Sequence, residues 1–393
     1  MSASAILLIL TLLPQLLAAQ QPHYDGRKKQ LEYPGPGREL GEPADVTEVR
    51  IGYFGPGDHT HPLAGDMWLA AQMALEEANA EGGYRGLPFR LLAVWSENPW
   101  EGGDRDLVRL VYNEKVWAIV GGIDGASTHL AEQITAKSRL ALVNPASTDK
   151  TVSYAFVPWV FSIPPGDHIQ APVLCAAVKE ALASPNARFA MISAVDHDSQ
   201  LAMAEFRSLL AKQGIVPSFH VQVRSINQEI AEAAEKIAAF NPSAILVVAG
   251  AVDSANLVLA LRKAGSKATV YGSCTMGRRI FLETAGQEAE GVIFPVLGNP
   301  SPDYNSFSKR FSSRSGHAPD FTAIYTYDAV RLVVEAIRRS GLNRALIRDA
   351  IRDLSGWQGT SGKIEWDPVG QNVAPVWLGS YRRGKIQVLI DHR

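Results

Sequence analysis

From residue 48 onward the chain alternates short apolar runs with longer amphipathic stretches, and after Pro164 it starts the same pattern again. The first series is VRIGYF, FRLLAVW, VWAIV and ALV, separated by stretches of helical spacing over 66–79, 104–114 and 127–138. Short apolar runs bounded by Gly, Pro or Asn suit strands buried on both faces, and a stripe at helical period suits a helix with one packed face. In 66–79 that stripe is Met67, Ala70, Ala71, Ala74 and Ala78, with Gln72, Glu76 and Glu77 outside it. The second series is RFAMIS, FHVQV, AILVVA and TVYG, with helices predicted over 167–182, 199–213, 229–240 and 254–264. A repeated βα order of this kind predicts two parallel α/β lobes in tandem. GVIFPV at 291–296, helices over 303–315, 321–340 and 343–354, KIEW, and a hairpin turning at Arg383 and Gly384 complete the chain.

The ends and the charge narrow the setting. Residues 6–17 read ILLILTLLPQLL and are followed by Ala18 and Ala19, the pattern of a secretory leader cleaved near Ala19. Residues 20–47 are rich in Pro and Gly and poor in apolar side chains, which predicts a flexible linker. With 38 Lys plus Arg against 40 Asp plus Glu, the net charge of -2 gives no basic surface for nucleic acid. Cys175 and Cys274 are the two cysteines, too few for a disulfide framework or a CxxC metal knuckle, and no lipoprotein cysteine stands near residue 20.

Ligands of open α/β sheets sit outside the carboxyl ends of the strands, so the turns that follow the strands hold the candidate site. They read GPGDHTHP (55–62), SENPW (96–100), GGIDGAST (121–128) and NPAST (144–148) in the first lobe. In the second they read AVDHDS (194–199), GAVDS (250–254) and SCTM (273–276). These turns are rich in Gly, Ser, Thr and Asp and poor in Lys and Arg. Backbone amides at helix starts, with short hydroxyls beside them, bind a carboxylate or another small polar group without a basic side chain.

IGYFGP with a helix ending in EEANAEGGYRG, then SENP, WAIVGGIDGAST and LALVNPAST, and later EGVIF, TAIYTYDAV and GKIEWDPVG, resembles in this order the type I periplasmic binding proteins of the Leu/Ile/Val-binding class, the solute receptors of ABC importers. The resemblance implies two Rossmann-like, doubly wound, mainly parallel lobes joined by a three-crossing hinge. The crossings fall near 161–165, 295–299 and 356–362, giving lobe one as 48–163 plus 296–357 and lobe two as 164–295 plus 358–393. It also implies a carboxylate site built from Asp124, Gly125, Ser127, Ala146, Ser147 and Thr148, with Ser127, Ser147 and Thr148 equally readable as helix caps. The second lobe departs from the pattern. Asp198 and Ser199 stand where the family often has Tyr-Gly, Ala251 stands where it often has a ring, and Cys274 falls at the ammonium-binding acid. Asp124, Asp196, Asp198 and Asp253 are candidates for an acidic cleft, with His197 beside them, and Trp95, Trp100, Tyr53 or Phe54 for ring stacking. The expected partners are a small-molecule ligand and an inner-membrane ABC permease, with a periplasmic monomer and no cofactor.

Two other readings of the residues are a sensor subunit on the same fold and a metal-dependent hydrolase using His59 and His61, whose HxH spacing with Asp58, and His168 or His197 across the lobes, suits a metal. GASTH at 125–129 has a strand-to-helix serine, but His129 replaces the second Gly of a nucleophile elbow. No GxGxxG follows a strand and no phosphate-loop signature occurs.

Overall fold

The computed structural model describes residues 29–298 and 301–389, so the expected leader at 1–19 and the linker up to residue 28 lie outside the described residues. The first sheet is parallel throughout. β1 (Val49–Phe54), β2 (Phe89–Val94), β3 (Ala118–Gly121), β4 (Ala141–Asn144) and β5 (Val160–Ser162) stand in the order β2-β1-β3-β4-β5. The helices between them are α1 (Gly65–Ala80), α2 (Gly103–Val108), α3 (Gly125–Ser138) and α4 (Lys150–Tyr154). The stripe read from the sequence of α1 is its buried face.

The chain then builds a second sheet through α5 (Asp167–Ala181), β6 (Phe189–Ala194), α6 (His197–Lys212), β7 (Phe219–Val223), α7 (Asn227–Phe240), β8 (Ala244–Val248), α8 (Ala251–Lys263), β9 (Thr269–Gly272), α9 (Arg279–Ala285) and β10 (Ile293–Leu297). The parallel strands run β7-β6-β8-β9-β10, the same winding as the first sheet. α10 (Tyr304–Ser315), α11 (Phe321–Ser340) and α12 (Arg344–Asp353) return to the first lobe, where α11 lies along the alanine face of α1. Small side chains at that contact let the two helices approach closely. β11 (Trp357–Gly359) and β12 (Gly362–Ile364) pair as a short hairpin, and β13 (Val376–Arg382) and β14 (Lys385–Leu389) finish the second sheet as antiparallel strands. Their two-residue turn is the expected one: Arg383 and Gly384 both have positive φ, which suits the twist of a tight hairpin.

Two expectations change. The third crossing was expected at 356–362, yet Ile364 and Trp366 fill the first lobe's core and Trp366 Nε1 donates to Ile351 O at 2.9 Å. The chain leaves that lobe only after Asn372, where Asn372 N donates to Ser162 O (2.9 Å) and Gln371 Nε2 donates to Pro164 O (2.6 Å), binding the first and third crossings together. Just after the second crossing, Ser301 N donates to Thr360 O in the β11–β12 turn, which Asp328 of α11 holds by accepting from Thr360 N and Ser361 N at 2.8 and 2.7 Å. The other change concerns the linker. Its described part, 29–47, is not a free tether but lies on α12 and its surroundings, through Arg38 on Asp349 (2.7 Å), Asn343 Nδ2 on Gly37 O and Leu40 O, and Tyr33 against Trp159. Backbone hydrogen bonds and arginine contacts do most of this, with Tyr33 and Val46 as the few packed side chains in a segment whose scarcity of apolar residues suggested a loose linker.

Candidate functional site

In each sheet the order reverses beside its first strand, between β1 and β3 and between β6 and β8. A crevice outside the strand ends at such a reversal is the ligand position of a doubly wound sheet. α3 rises from the first reversal and α6 from the second, and the two helix starts meet: Gly125 N donates to Asp198 Oδ2 at 2.8 Å.

The first start is set by two glycines. Gly121 and Gly122 have φ of 149° and 74°, and a Cβ on them would stand 2.4 Å from Phe54 O and 2.0 Å from Thr128 Oγ1. The chain therefore turns tightly off β3 into a capping box, with Asp124 Oδ1 accepting from Ser127 N (2.8 Å) and from Ser127 Oγ (2.6 Å). Thr128 Oγ1 donates to Asp124 O. Ser127 is fully buried, and its hydroxyl also accepts from Ile123 N, so it shapes the loop rather than facing the cleft. Gly125 is different. Its amide is a first-turn donor without an intrahelical partner, and a Cβ there would lie 2.2 Å from Asp198 Oδ1.

After β4, buried Asn144 organises the next turn. Its Oδ1 accepts from Ala146 N (3.0 Å) and Ser147 N (2.9 Å), and its Nδ2 donates to Ser147 O. Ser147 Oγ accepts from Asp149 N, and Thr148 Oγ1 donates to Asp167 Oδ1 at 2.8 Å. Ser147 is thus a turn residue, while Thr148 faces the start of α5. Asp167 is buried, and that burial pushes its carboxyl well above the ordinary range. Cys274 is buried in the same place, beside Thr148 and Gln170, its thiol pushed up to about 12 by burial.

In the second lobe Asp196 caps α6 by accepting from Ser199 N. Burial pushes the Asp198 carboxyl up to about 7, against the pull of Gly125 N–H, and its Oδ1 has no hydrogen-bond partner among the described residues. Asp253 is partly exposed, and its carboxylate bonds Ser225 after β7 rather than the groups around Gly125 and Asp198. Of the four candidates for a shared acidic cleft, Asp124 and Asp198 come close enough for the Asp124 charge to act on Asp198, while Asp196 caps α6 and Asp253 is bonded to Ser225. Tyr53 and Phe54 are core residues, Trp95 packs on Phe54, and Trp100 is exposed.

The structure adds a cluster that the sequence reading did not single out. Asp149 Oδ2 accepts from His129 Nε2 (3.0 Å) and from His197 Nε2 (3.1 Å), joining α3, the turn before α4 and α6. His129 Nδ1 meets Glu132 Oε2 at 2.8 Å, and Thr151 Oγ1 bonds Asp149. Burial pushes the Asp149 carboxyl up, but hydrogen bonds from His129, Thr151 and His197 outweigh it and hold it at about 2. Asp149 and Glu132 in turn raise His129 to about 9. The available signals were an Asp-x-Thr cap at 149–151 and a His-x-x-Glu pair on one helix face at 129–132. His59 and His61 form no such group. His61 Nδ1 accepts from Leu63 N and Ala64 N at the start of α1, and its Nε2 is 3.7 Å from Glu97.

Further contacts hold the lobes together away from the helix starts. Arg278 bonds Asp320 (2.8 Å) and Leu63 O, Arg279 bonds Asp66 (2.9 Å), and Lys150 bonds Glu205.

Two parallel α/β lobes, three interlinked crossings and facing helix starts define a two-lobed receptor whose cleft lies between the strand ends. The chain belongs to the periplasmic binding protein family, whose model it matches over residues 48–385. An amino acid binding protein of Pseudomonas aeruginosa is 24% identical over 332 residues, covering 83% of this chain and 87% of that one. Among solved structures it is similar to a leucine-binding protein of Thermotoga maritima (TM-score 0.78, 21% identity, 87% of this chain and 98% of that). It is also similar to a solute-binding protein of R. palustris in complex with benzoate (TM-score 0.75, 15% identity, 87% and 95%). The family is one of extracytoplasmic binding proteins rather than enzymes, and among the described residues no helix is long and apolar enough to cross a membrane.

Proposed function

We propose that this protein is an exported, monomeric receptor that closes over one small polar solute and delivers it to an ABC permease of the inner membrane. The observation that carries this reading is the bond from Gly125 N–H to Asp198 across the cleft. A solute held between those helix starts touches both lobes, and closure turns occupancy into a shape that a permease reads. The relative from P. aeruginosa is an amino acid binding protein, and the neighbours were solved as receptors for small organic solutes, which supports the class.

The residues assigned to the solute are Gly125, Ala146 and Thr148 of the first lobe and His197, Asp198 and Cys274 of the second. Asp124, Ser127 and Ser147 hold the first set in place. Asp198 occupies the amide of Gly125, which lies in the turn where the family resemblance puts part of the ligand-carboxylate site. A free α-amino acid must displace it, whereas a neutral or cationic solute need not, so the favoured solute lacks a free carboxylate at that end. A thermal-shift screen of stripped protein against amines, polyols, amino acids and aromatic acids tests this, because ligand binding to the folded state raises the melting temperature. One neutral or cationic class should stabilise and compact the protein in solution scattering. Strong stabilisation by leucine would overturn the assignment of Asp198, and binding without compaction would overturn closure.

A further inference from the structure

We propose that His129, Asp149 and His197 form a binding site for one divalent transition-metal ion, which links the two lobes across the cleft. His129 Nε2, Asp149 Oδ2 and His197 Nε2 lie within 4.8 Å of one another. The two nitrogens stand 3.0 and 3.1 Å from the same carboxylate oxygen. Two ligands at about 2.1 Å from one tetrahedral ion stand about 3.4 Å apart, so each His–Asp pair needs to spread by a few tenths of an ångström, while the two imidazole nitrogens, within 4.8 Å of each other, settle to the same spacing. Asp149 is buried, His129 is 23% exposed at its side chain and His197 48%, which leaves an open side for entry and for a water or solute as the further ligand.

The surroundings match a metal site beyond its three ligands. Glu132 Oε2 lies 2.8 Å from His129 Nδ1 and fixes the ring with Nε2 toward Asp149, the carboxylate–histidine arrangement that orients metal-ligating imidazoles. Thr151 Oγ1 bonds Asp149 and holds the carboxylate in turn. The donor set selects the ion. Two imidazoles and one carboxylate suit Zn²⁺, Ni²⁺ or Cu²⁺, whereas Mg²⁺ and Ca²⁺ prefer oxygen alone. On binding, the ion takes the place of the imidazole protons that now face Asp149, and these leave to solvent.

His129 and Asp149 belong to the first lobe and His197 starts α6 in the second. The ion therefore favours the closed arrangement, a consequence that rests on the receptor reading, while ion binding itself is measured independently. The experiment is calorimetric titration of Zn²⁺ into the untagged, chelator-stripped chain, with Cu²⁺ resonance spectra to count coordinated imidazoles and scattering to follow compaction. One ion per chain, two imidazoles and compaction are expected. His197→Ala, at an exposed position, should weaken Zn²⁺ by more than about 100-fold and abolish compaction, and Glu132→Gln should weaken it by about 10–100-fold. Absence of saturable binding, or binding that His197→Ala and His129→Gln leave unchanged while both variants melt like the parent, overturns the site. A chain that closes on an organic solute but takes no Zn²⁺ defeats this inference alone. One that takes Zn²⁺ through His197 but binds no organic solute upholds it and defeats the solute reading.

Discussion

Between the cap and the third helical position, α3 carries Gly125 and Ala126, whereas α6 carries His197 and Asp198 at the matching places. The frames are otherwise alike. Each helix leaves a reversal of strand order, each is capped by an aspartate, Asp124 or Asp196, and each returns a serine amide to that cap, from Ser127 or Ser199. The first lobe thus offers a bare amide, and the second an imidazole and a carboxylate. Backbone donors accept any small anion that fits, while side chains with charge and direction discriminate. The comparison separates a helix start whose side chains build a rigid frame from one whose side chains set the chemistry of what is held.

The largest effect that tests this division is on stability. Asn144→Ala leaves the amides of Ala146 and Ser147 without their acceptor in a buried turn, and should destabilise the protein by about 3 kcal/mol in urea unfolding. Asp198→Ala removes one bond to Gly125 and a carboxyl that burial disfavours, so its stability should stay within about 1 kcal/mol of the parent. Equal costs would erase the distinction between frame and chemistry.

The next effect is on affinity. If Asp198 guards the Gly125 amide, Asp198→Ala frees that donor, and leucine or another free carboxylate should bind about 10–100-fold more tightly by calorimetry, the worth of one hydrogen bond to a charged group. An unchanged constant would mean that the amide is not a carboxylate position.

The frame was far more legible in the sequence than the chemistry. Strand and helix periods are local, so the lobes, the packed face of α1 and the turn at Arg383 and Gly384 could be read directly. The starts of α3 and α6 were expected two residues late, at Ser127 and Ser199, although the aspartates of both turns also read as N-caps. The aspartate three residues earlier is the one in use. Asp149, Asp198 and Asp253 look alike as turn residues. What separates them is apposition of loops distant in the chain, with Asp198 against Gly125, Asp149 against His197 and Asp253 turned to Ser225. In the sequence His129 reads only as a departure from a serine motif, since its partners Asp149 and His197 come from other elements. The third crossing was missed for a similar reason: Ile364 and Trp366 show which core they enter only when both cores are present.

The arginines after β9 bear on how the two faces are held together. Arg278 and Arg279 reach from the second lobe to Asp320 and Asp66 of the first, in partly buried pairs. Arg278→Ala with Arg279→Ala should shift the lobes toward the open form by about 1–2 kcal/mol, seen as a larger radius of the unliganded protein and weaker solute binding. A radius that stays put would assign closure to the helix starts alone.

The smallest effect is the most direct on the division itself. Ser127 was a candidate for ligand contact, and the structure turns its hydroxyl back on Asp124 and Ile123 N. As a member of the capping box, Ser127→Ala should lower stability by about 1 kcal/mol, the usual cost of a lost cap, and leave the affinity for the stabilising solute unchanged. Thr148→Ala is the control from the same lobe, because the Thr148 hydroxyl meets Asp167 at the junction of the lobes and its loss should weaken binding as well. If Ser127→Ala lowers affinity more than stability, the hydroxyl turns to the solute when one is present, and the start of α3 contributes chemistry as well as frame.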